Sequence, residues 1–413
     1  MNEAAFPRRP DHERIALVLQ GGGALGAYQV GVYQALEEHG FAPDWIAGTS
    51  IGSINGAIIA GNPAGERLSQ LEGFWRAVSH ADFWDVARMP DDLRQLYSGW
   101  SALGTTLAGR PGFFTPRLSH PLAVLATDSA ETASYYDTTA LRALLERVID
   151  FELLNRGPIR FSLGAVHITT GKLRYFDSRY QRIGPEHVMA SSALPPAFPA
   201  VRVDGELYWD GGIYSNTPLE IVLDDFPRVD TLCFMIALFN PAGPEPRSLP
   251  EVWTRRKDIM YGTRARQHIA AYCRIHNLRR AIQVLYERLP AAIRNEPEIA
   301  ALAELGCHTT MEIVRLMYAP RDWELATKGM DFSWAAIEER WTQGYRDATR
   351  VLKRAAWLEP VPPHVGVVVH DLPPEEVRVG GRIETPARHH PNPVKEEDRP
   401  VTIDNPLKNE LAS

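Results

Sequence analysis

At 413 residues the chain is long enough for one large domain with additions or for two domains, and its 45% hydrophobic and 23% charged residues are ordinary for a globular protein. A formal net charge of −7 supplies no global basic field, which excludes nucleic acid as the expected partner. Cys233, Cys273 and Cys307 are odd in number and far apart, so neither a disulfide framework nor a zinc site is expected, and a reducing compartment fits.

Residues 1–12 read as a tail. Residues 15–19 form a continuous, partly β-branched apolar run stopped by Gly21, Gly22 and Gly23, the pattern of a strand buried on both faces. That run is too short for a signal peptide, and no other approaches the ~18 apolar residues of a spanning helix. The expected location is therefore the cytoplasm, with membranes touched from outside if at all. Leu25, Tyr28, Val32 and Leu36 follow at spacings of three and four, which predicts a helix ending near Gly40. Residues 45–47 suit a second strand and 51–60 a buried helix, completing a β-α-β-α unit.

From 88 to 137 the chain is irregular and carries Phe113 and Phe114 inside GRPGFFTPR, which reads as a lid or binding loop with an exposed aromatic pair. Helix signals return over 139–149, alternation predicts a strand over 159–165, and 232–239 reads as another buried strand. Alternating elements of this kind argue for a mostly parallel sheet covered by helices. After Pro241 two helical stripes appear: Tyr272, Ile275, Leu278, Ile282, Leu285 and Leu289, then Trp334, Ile337, Trp341, Tyr345, Ala348 and Leu352. Residues 365–369 suit one more strand, and the proline- and charge-rich segment 373–413 reads as a disordered tail.

Gly48-Thr49-Ser50-Ile51-Gly52 is a G-x-S-x-G sequence between strand and helix, the context of a nucleophile elbow, with Gly48 and Gly52 letting neighbouring backbone pass close by. Gly21-Gly22-Gly23 offers backbone N–H groups that could form an oxyanion hole. The same loop also spells G-x-G-x-x-G through Gly26, a dinucleotide fingerprint. That alternative needs an acidic residue at the carboxyl end of the second strand, whereas Asp44 precedes it. Asp210-Gly211-Gly212 follows the apolar Leu207-Tyr208-Trp209 and presents a carboxylate at a strand end.

Taken in order, GGGALGAY, GTSIGS and DGGIYSNTPL resemble the glycine-rich loop, nucleophile elbow and catalytic aspartate motif of patatin-like phospholipases, and ASSALPPAFPAV resembles the segment just before that aspartate. The resemblance covers residues 13–225; the helical region after 241 is similar to an extension found in a bacterial subgroup of the family. It implies a three-layer α/β/α sandwich with a mostly parallel central sheet, a catalytic domain over 13–240 and a mostly helical extension over 241–372. It also implies a serine acyl hydrolase, a phospholipase A or lipid acyl hydrolase, with Ser50 as nucleophile, Asp210 as base and Gly21, Gly22 and Gly23 as the oxyanion loop. Such a Ser-Asp dyad passes through an acyl-enzyme and requires neither cofactor nor metal. The implied partner is a lipid or ester substrate, with peripheral membrane contact left open. A desolvated site would help Asp210, because an ordinary aspartate, with a pKa of about 3.9, is a weak base.

Three features stand outside that frame. His370 follows the strand-like run 365–369 and would satisfy the Ser-acid-His order of conventional α/β-hydrolases, although the elbow comes after only two strands. His167 lies within the strand-like segment 165–170 and reads as structural. Basic residues concentrate from Arg255 to Arg280, as a solvated helix face or a docking surface for anionic lipid.

Overall fold

The computed structural model describes residues 12–80, 97, 99, 101, 104–110, 112–117, 129–243, 245–319 and 328–371, and the backbone of 378–379 and 382–383. The first eleven residues, half of the irregular 88–137 segment and most of the tail from 373 lie outside the described residues. The chain divides into two units, Met1–Leu372 and Pro373–Ser413. In the second, Arg378–Val379 pairs antiparallel with Arg382–Ile383.

The first unit is built on a nine-stranded sheet. Its strands are β1 (Arg14–Leu19), β2 (Trp45–Gly48), β3 (Arg160–His167), β4 (Leu173–Asp177), β5 (Val201–Val203), β6 (Glu206–Asp210), β7 (Thr231–Ala237), β8 (Met311–Met317) and β9 (Val367–Asp371). The order is β9-β8-β7-β1-β2-β3-β6-β5, with β4 also on β3. From β9 through to β3 every pairing is parallel, and β4, β5 and β6 add the antiparallel pairs.

The apolar run of β1 follows from its central place, because Ile15, Leu17 and Leu19 enter one core while Ala16 and Val18 enter the other. On the first face lie α1 (Ala27–Glu38), α2 (Ile51–Ala60) and α3 (Arg67–Val78). A short helix, α4 (Pro185–Ser191), packs there too. On the opposite face the 40-residue α5 (Leu249–Arg288) packs Ile269, Tyr272 and Cys273 against the sheet. The result is a three-layer α/β/α fold.

The chain after Pro241 adds more than helices. Met311–Met317, which lies between the two helical stripes, pairs with β7 and is followed in the sheet by β9. α6 (Trp334–Arg354) then crosses to the first face and lies directly on α1. The two backbones touch: a Cβ on Gly31 would strike the Trp341 carbonyl, and one on Gly344 would strike the Tyr28 carbonyl. Trp341 Nε1 donates to Gln34 (2.7 Å) and Tyr28 Oη to Asp347 (3.0 Å), so the crossing is both close-packed and polar-matched.

One expectation is corrected. Phe113 and Phe114 are not an exposed pair; they are 6% and 1% exposed, in an aromatic cluster with Phe74, Tyr136, Phe198 and Phe332. Burying two phenylalanines against other rings outweighs any tendency of a loop to present them to solvent.

The glycine contacts generate a paired prediction. Gly73 in α3 has open space where a Cβ would go, so Gly73→Ala should stabilise the chain by about 0.5–1 kcal/mol through helix propensity. Gly31→Ala makes the same propensity gain but forces α1 off α6, and should destabilise by roughly 1–3 kcal/mol. Urea denaturation of both variants, with opposite shifts in midpoint, is the check.

Candidate active site

β2 ends at Gly48 and α2 begins at Ile51, leaving Thr49 and Ser50 to make a sharp turn. Ser50 sits at φ 56°, ψ −128°, a conformation that L-residues rarely adopt and that costs of the order of 1–3 kcal/mol. Its peptide groups are held from several sides. Ser50 N donates to the Ser191 carbonyl (3.1 Å) and faces Ser191 Oγ (3.2 Å). Its carbonyl accepts from Ser53 Oγ (2.6 Å) and Ser192 Oγ (3.2 Å). Gly48 and Gly52 are obligatory: a Cβ on the first would meet the Gly52 carbonyl and one on the second the Leu19 carbonyl. Although Ser50 occupies the N-cap position of α2, its side chain caps nothing there.

Asp210 is the last residue of β6 and pairs with Ala165 of β3. Its N–H donates to the Ala193 carbonyl (3.0 Å), and its Oδ1 accepts from Gly212 N (2.7 Å). Gly211 lies on the Gly164 carbonyl, so any side chain there would prise β6 from β3. The Asp210 carboxyl is 1% exposed, and burial pushes its pKa up to about 7 against the lowering effect of the Gly212 N–H and the Ser50 hydroxyl. A carboxyl in that range exchanges protons near neutrality, and the group beside it is a serine hydroxyl. Two residues 160 positions apart thus meet at the carboxyl end of the parallel strands.

The glycine loop follows β1 and passes next to Ser50, where a Cβ on Gly21 would come within 2.9 Å of the Ser50 Cβ. Gly21 N–H is engaged by the Asn216 carbonyl (3.1 Å). Gly22 is extended and lies against Leu238; Gly23, at φ +60°, faces the Gly329 carbonyl. Gly22, Gly23 and Ser50 keep some exposure, whereas Gly21 and Asp210 are buried. Behind the loop, buried Gln20 donates to Thr217 (2.7 Å) and accepts from the N–H of Phe239 (3.2 Å). Gln29, Asn55 and Trp75 extend that network to α3.

His370 belongs elsewhere. It hydrogen-bonds Glu312 (2.8 Å) from β9, three strands from β1 at the sheet edge, so it has no part in the Ser50 and Asp210 pair. His167, the last residue of β3, bonds Glu206 (3.1 Å). Asp44 receives Ile15 N–H (2.8 Å) at the start of β2, the wrong end for a ribose. Among the described residues no group of three or more His, Cys, Asp or Glu is placed to hold a metal ion.

Several functional neighbours escape sequence reasoning. Ser191, Ser192 and Ala193 contact the backbones of both Ser50 and Asp210, although the segment holding them is visible as ASSALPPAF. From α5, Tyr261 packs at a tilt on Phe239 (4.9 Å between centroids), and its hydroxyl is raised in pKa by burial and by the charge of Asp210. Arg264 donates to the Ile213 carbonyl (2.9 Å) just beyond the aspartate turn. No local pattern signals that a helix 50 residues further on borders the site.

A family model described as patatin-like phospholipase matches residues 17–223, and one described as patatin phospholipase matches 259–364. The chain is 40% identical over 74 residues to "Triacylglycerol lipase SDP1L" of Arabidopsis thaliana, covering 18% of this chain and 9% of that one. It is 26% identical over 220 residues to "Lysophospholipase NTE1" of Mycosarcoma maydis, covering 53% of this chain and 10% of that one. It therefore spans about a tenth of the length of these curated relatives. Among solved structures it is similar to VipD from Legionella pneumophila, with a TM-score of 0.36, 14% identity and coverage of 84% of this chain and 67% of that one.

The buried carboxyl has a measurable consequence for stability. Below the ordinary aspartate pKa of about 3.9 the group is protonated whether the chain is folded or not. Between that value and about 7 the folded chain keeps a proton that the unfolded chain releases, so this group lowers stability as pH rises through the window. Asp210→Asn retains the shape and the acceptor for Gly212 N–H but cannot ionise. Denaturation at fixed pH should show the variant gaining on wild type from pH 4 to 7.5, by about 4 kcal/mol in all at about 1.4 kcal/mol per unit.

Proposed function

The chain belongs to the patatin-like phospholipase family, and on that premise we propose that it is a serine acyl hydrolase that cleaves lipid ester bonds through a Ser50-Asp210 dyad. The observation that carries this reading is the buried Asp210 carboxyl, with a pKa near 7, partnered by the hydroxyl of a serine on a strained elbow. As Ser50 Oγ bonds to the ester carbonyl carbon, Asp210 takes its proton and the carbonyl π pair moves onto oxygen. The oxyanion is held by N–H groups of the glycine loop and the N-terminus of α2. Since Gly21 N–H is already bonded to Asn216, that role falls to Gly22 and Gly23. Collapse of the intermediate expels the alcohol, which leaves with the proton from Asp210. Water, deprotonated by Asp210, then attacks the acyl-serine, and the bond to Ser50 Oγ breaks as Oγ takes that proton back from Asp210, which releases the fatty acid and restores the dyad.

In this reading residues 13–240 are the catalytic domain, and 241–372 an extension that borders the site through Tyr261 and Arg264. The extension also supports peripheral contact with a lipid surface. α5 carries nine Lys or Arg against three Asp or Glu in a chain of net charge −7. Leu249 (71% exposed), Trp253 (51%) and Arg256 share one outward face, with the Arg256 guanidinium 5.4 Å from the Trp253 ring centre. Basic residues near anionic lipid contribute about 1 kcal/mol each, and an aromatic ring anchors in the headgroup layer. No helix among the described residues is long and apolar enough to cross a membrane.

Two experiments test these assignments. On a soluble p-nitrophenyl ester, kcat/KM should rise with pH and level off above about 7, because the base must be ionised. Ser50→Ala and Asp210→Asn should each lose roughly 10⁴-fold or more, and His370→Ala should stay within a few-fold. Fluorophosphonate labelling of Ser50→Ala at the wild-type rate would refute the elbow assignment. In the second, Trp253→Ala combined with Arg256→Ala should lower sedimentation with phosphatidylglycerol vesicles by about tenfold, equivalent to about 1.4 kcal/mol, while soluble-ester turnover is unchanged.

A further inference from the structure

We infer that Asn216 is a positioning residue that sets the direction in which the glycine loop presents its N–H groups. The contacts are two-sided. Gly21 N–H donates to the Asn216 carbonyl (3.1 Å), and Asn216 Nδ2 donates to the Gly21 carbonyl (2.9 Å). The second bond matters most, because the Gly21 carbonyl and the Gly22 N–H belong to one planar trans peptide and point in opposite directions. Holding the carbonyl toward Asn216 therefore turns the Gly22 N–H away from it. In a run of three glycines nothing else in the local sequence opposes rotation of that peptide, since glycine tolerates either orientation. A flip would replace a donor by a carbonyl oxygen at the place where the proposed reaction develops negative charge.

Asn216 is well placed to resist that flip. Its Oδ1 fills the space where a Cβ on Gly21 would project, and a Cβ on Gly212 would come within 2.6 Å of the same atom. The side-chain amide is thus wedged between the glycine loop and the turn whose Gly212 N–H bonds Asp210. The segment carrying it is anchored on both flanks. Thr49 Oγ1 donates to the Ser215 carbonyl (3.4 Å), and Gln20 Nε2 donates to Thr217 Oγ1 (2.7 Å). Those anchors come from the residues immediately before Ser50 and Gly21. Asn216 therefore ties the loop to the aspartate turn in a single unit.

This inference rests on the hydrolase reading above, and its test separates the two. The variants are Asn216→Asp, which keeps the volume but sets a carboxylate against the Gly21 carbonyl, and Asn216→Ala, which removes the side chain. A clamp predicts that kcat on a p-nitrophenyl ester falls by about 10² in Asn216→Asp, at least as far as in Asn216→Ala, with KM within a few-fold. Ki for a trifluoromethyl ketone, which forms an oxyanion adduct with a serine, should rise by the same factor, and in Asn216→Ala, which adds no charge beside Asp210, the pH at which kcat/KM levels off should stay put. A side chain that only fills space predicts the reverse order, with the isosteric Asp variant near wild type. A folded Asn216→Asp enzyme within threefold of wild type in kcat/KM would overturn the inference. Should that variant fail to fold, an unchanged ketone Ki in Asn216→Ala does the same. Wild-type protein with neither turnover nor Ser50 labelling would instead overturn the hydrolase reading and the clamp with it.

Discussion

Ser50 is held at a backbone angle that its own side chain disfavours, and much of the surrounding structure can be understood as what holds it there. A strain of order 1–3 kcal/mol persists only where neighbouring contacts over-determine the geometry. Here they come from three separate segments. Ser53 lies one turn along α2, Ser191 and Ser192 come from the end of α4, and the Leu19 carbonyl packs on Gly52. Strand β1 carries the glycine loop and also supplies that carbonyl, so the loop and the elbow are set by the same central pair of strands.

The second requirement is a carboxyl group kept out of water. Burial raises its pKa to about 7, which makes Asp210 a better base and a poorer contributor to stability in the same stroke. What makes the arrangement tolerable is that its remaining acceptor capacity is satisfied locally, by the Gly212 N–H and the serine hydroxyl. Part of the shielding comes from far along the chain, since Tyr261 of α5 feels the Asp210 charge and packs on Phe239 at the exit of β7.

That contribution changes how the region after Pro241 is understood. It supplies β8 and β9 to the sheet, lays α6 against α1 at glycine contact and presses α5 on the opposite face. Gly262 of α5 sits so close to Pro241 and the Phe239 carbonyl that a side chain would not fit. The buried Lys328–Asp258 ion pair (3.0 Å) lies beside the same strand exit. Both partners belong to that region, and removing either one would leave an uncompensated buried charge.

By itself the amino-acid sequence determined the elements whose signal is local. The apolar run of β1, the periodicity of α1 and α6, and the G-x-S-x-G and D-G-G turns are legible because glycine tolerance and burial are written in adjacent residues. Ser50 and Asp210 could be singled out as a pair through the family resemblance, and the structure brings them together. Tertiary structure alone decided the features that arise between distant segments. Met311–Met317 became a strand because β7 offered it an open parallel edge, a fact absent from its own seven residues. Phe113 and Phe114 went inward because Phe74, Phe198 and Phe332, from three other segments, converge on them. Ser191, Asn216 and Tyr261 reach the site through a hydrogen bond, an amide wedge and a tilted ring contact, contacts that follow from chain path and not from residue pattern.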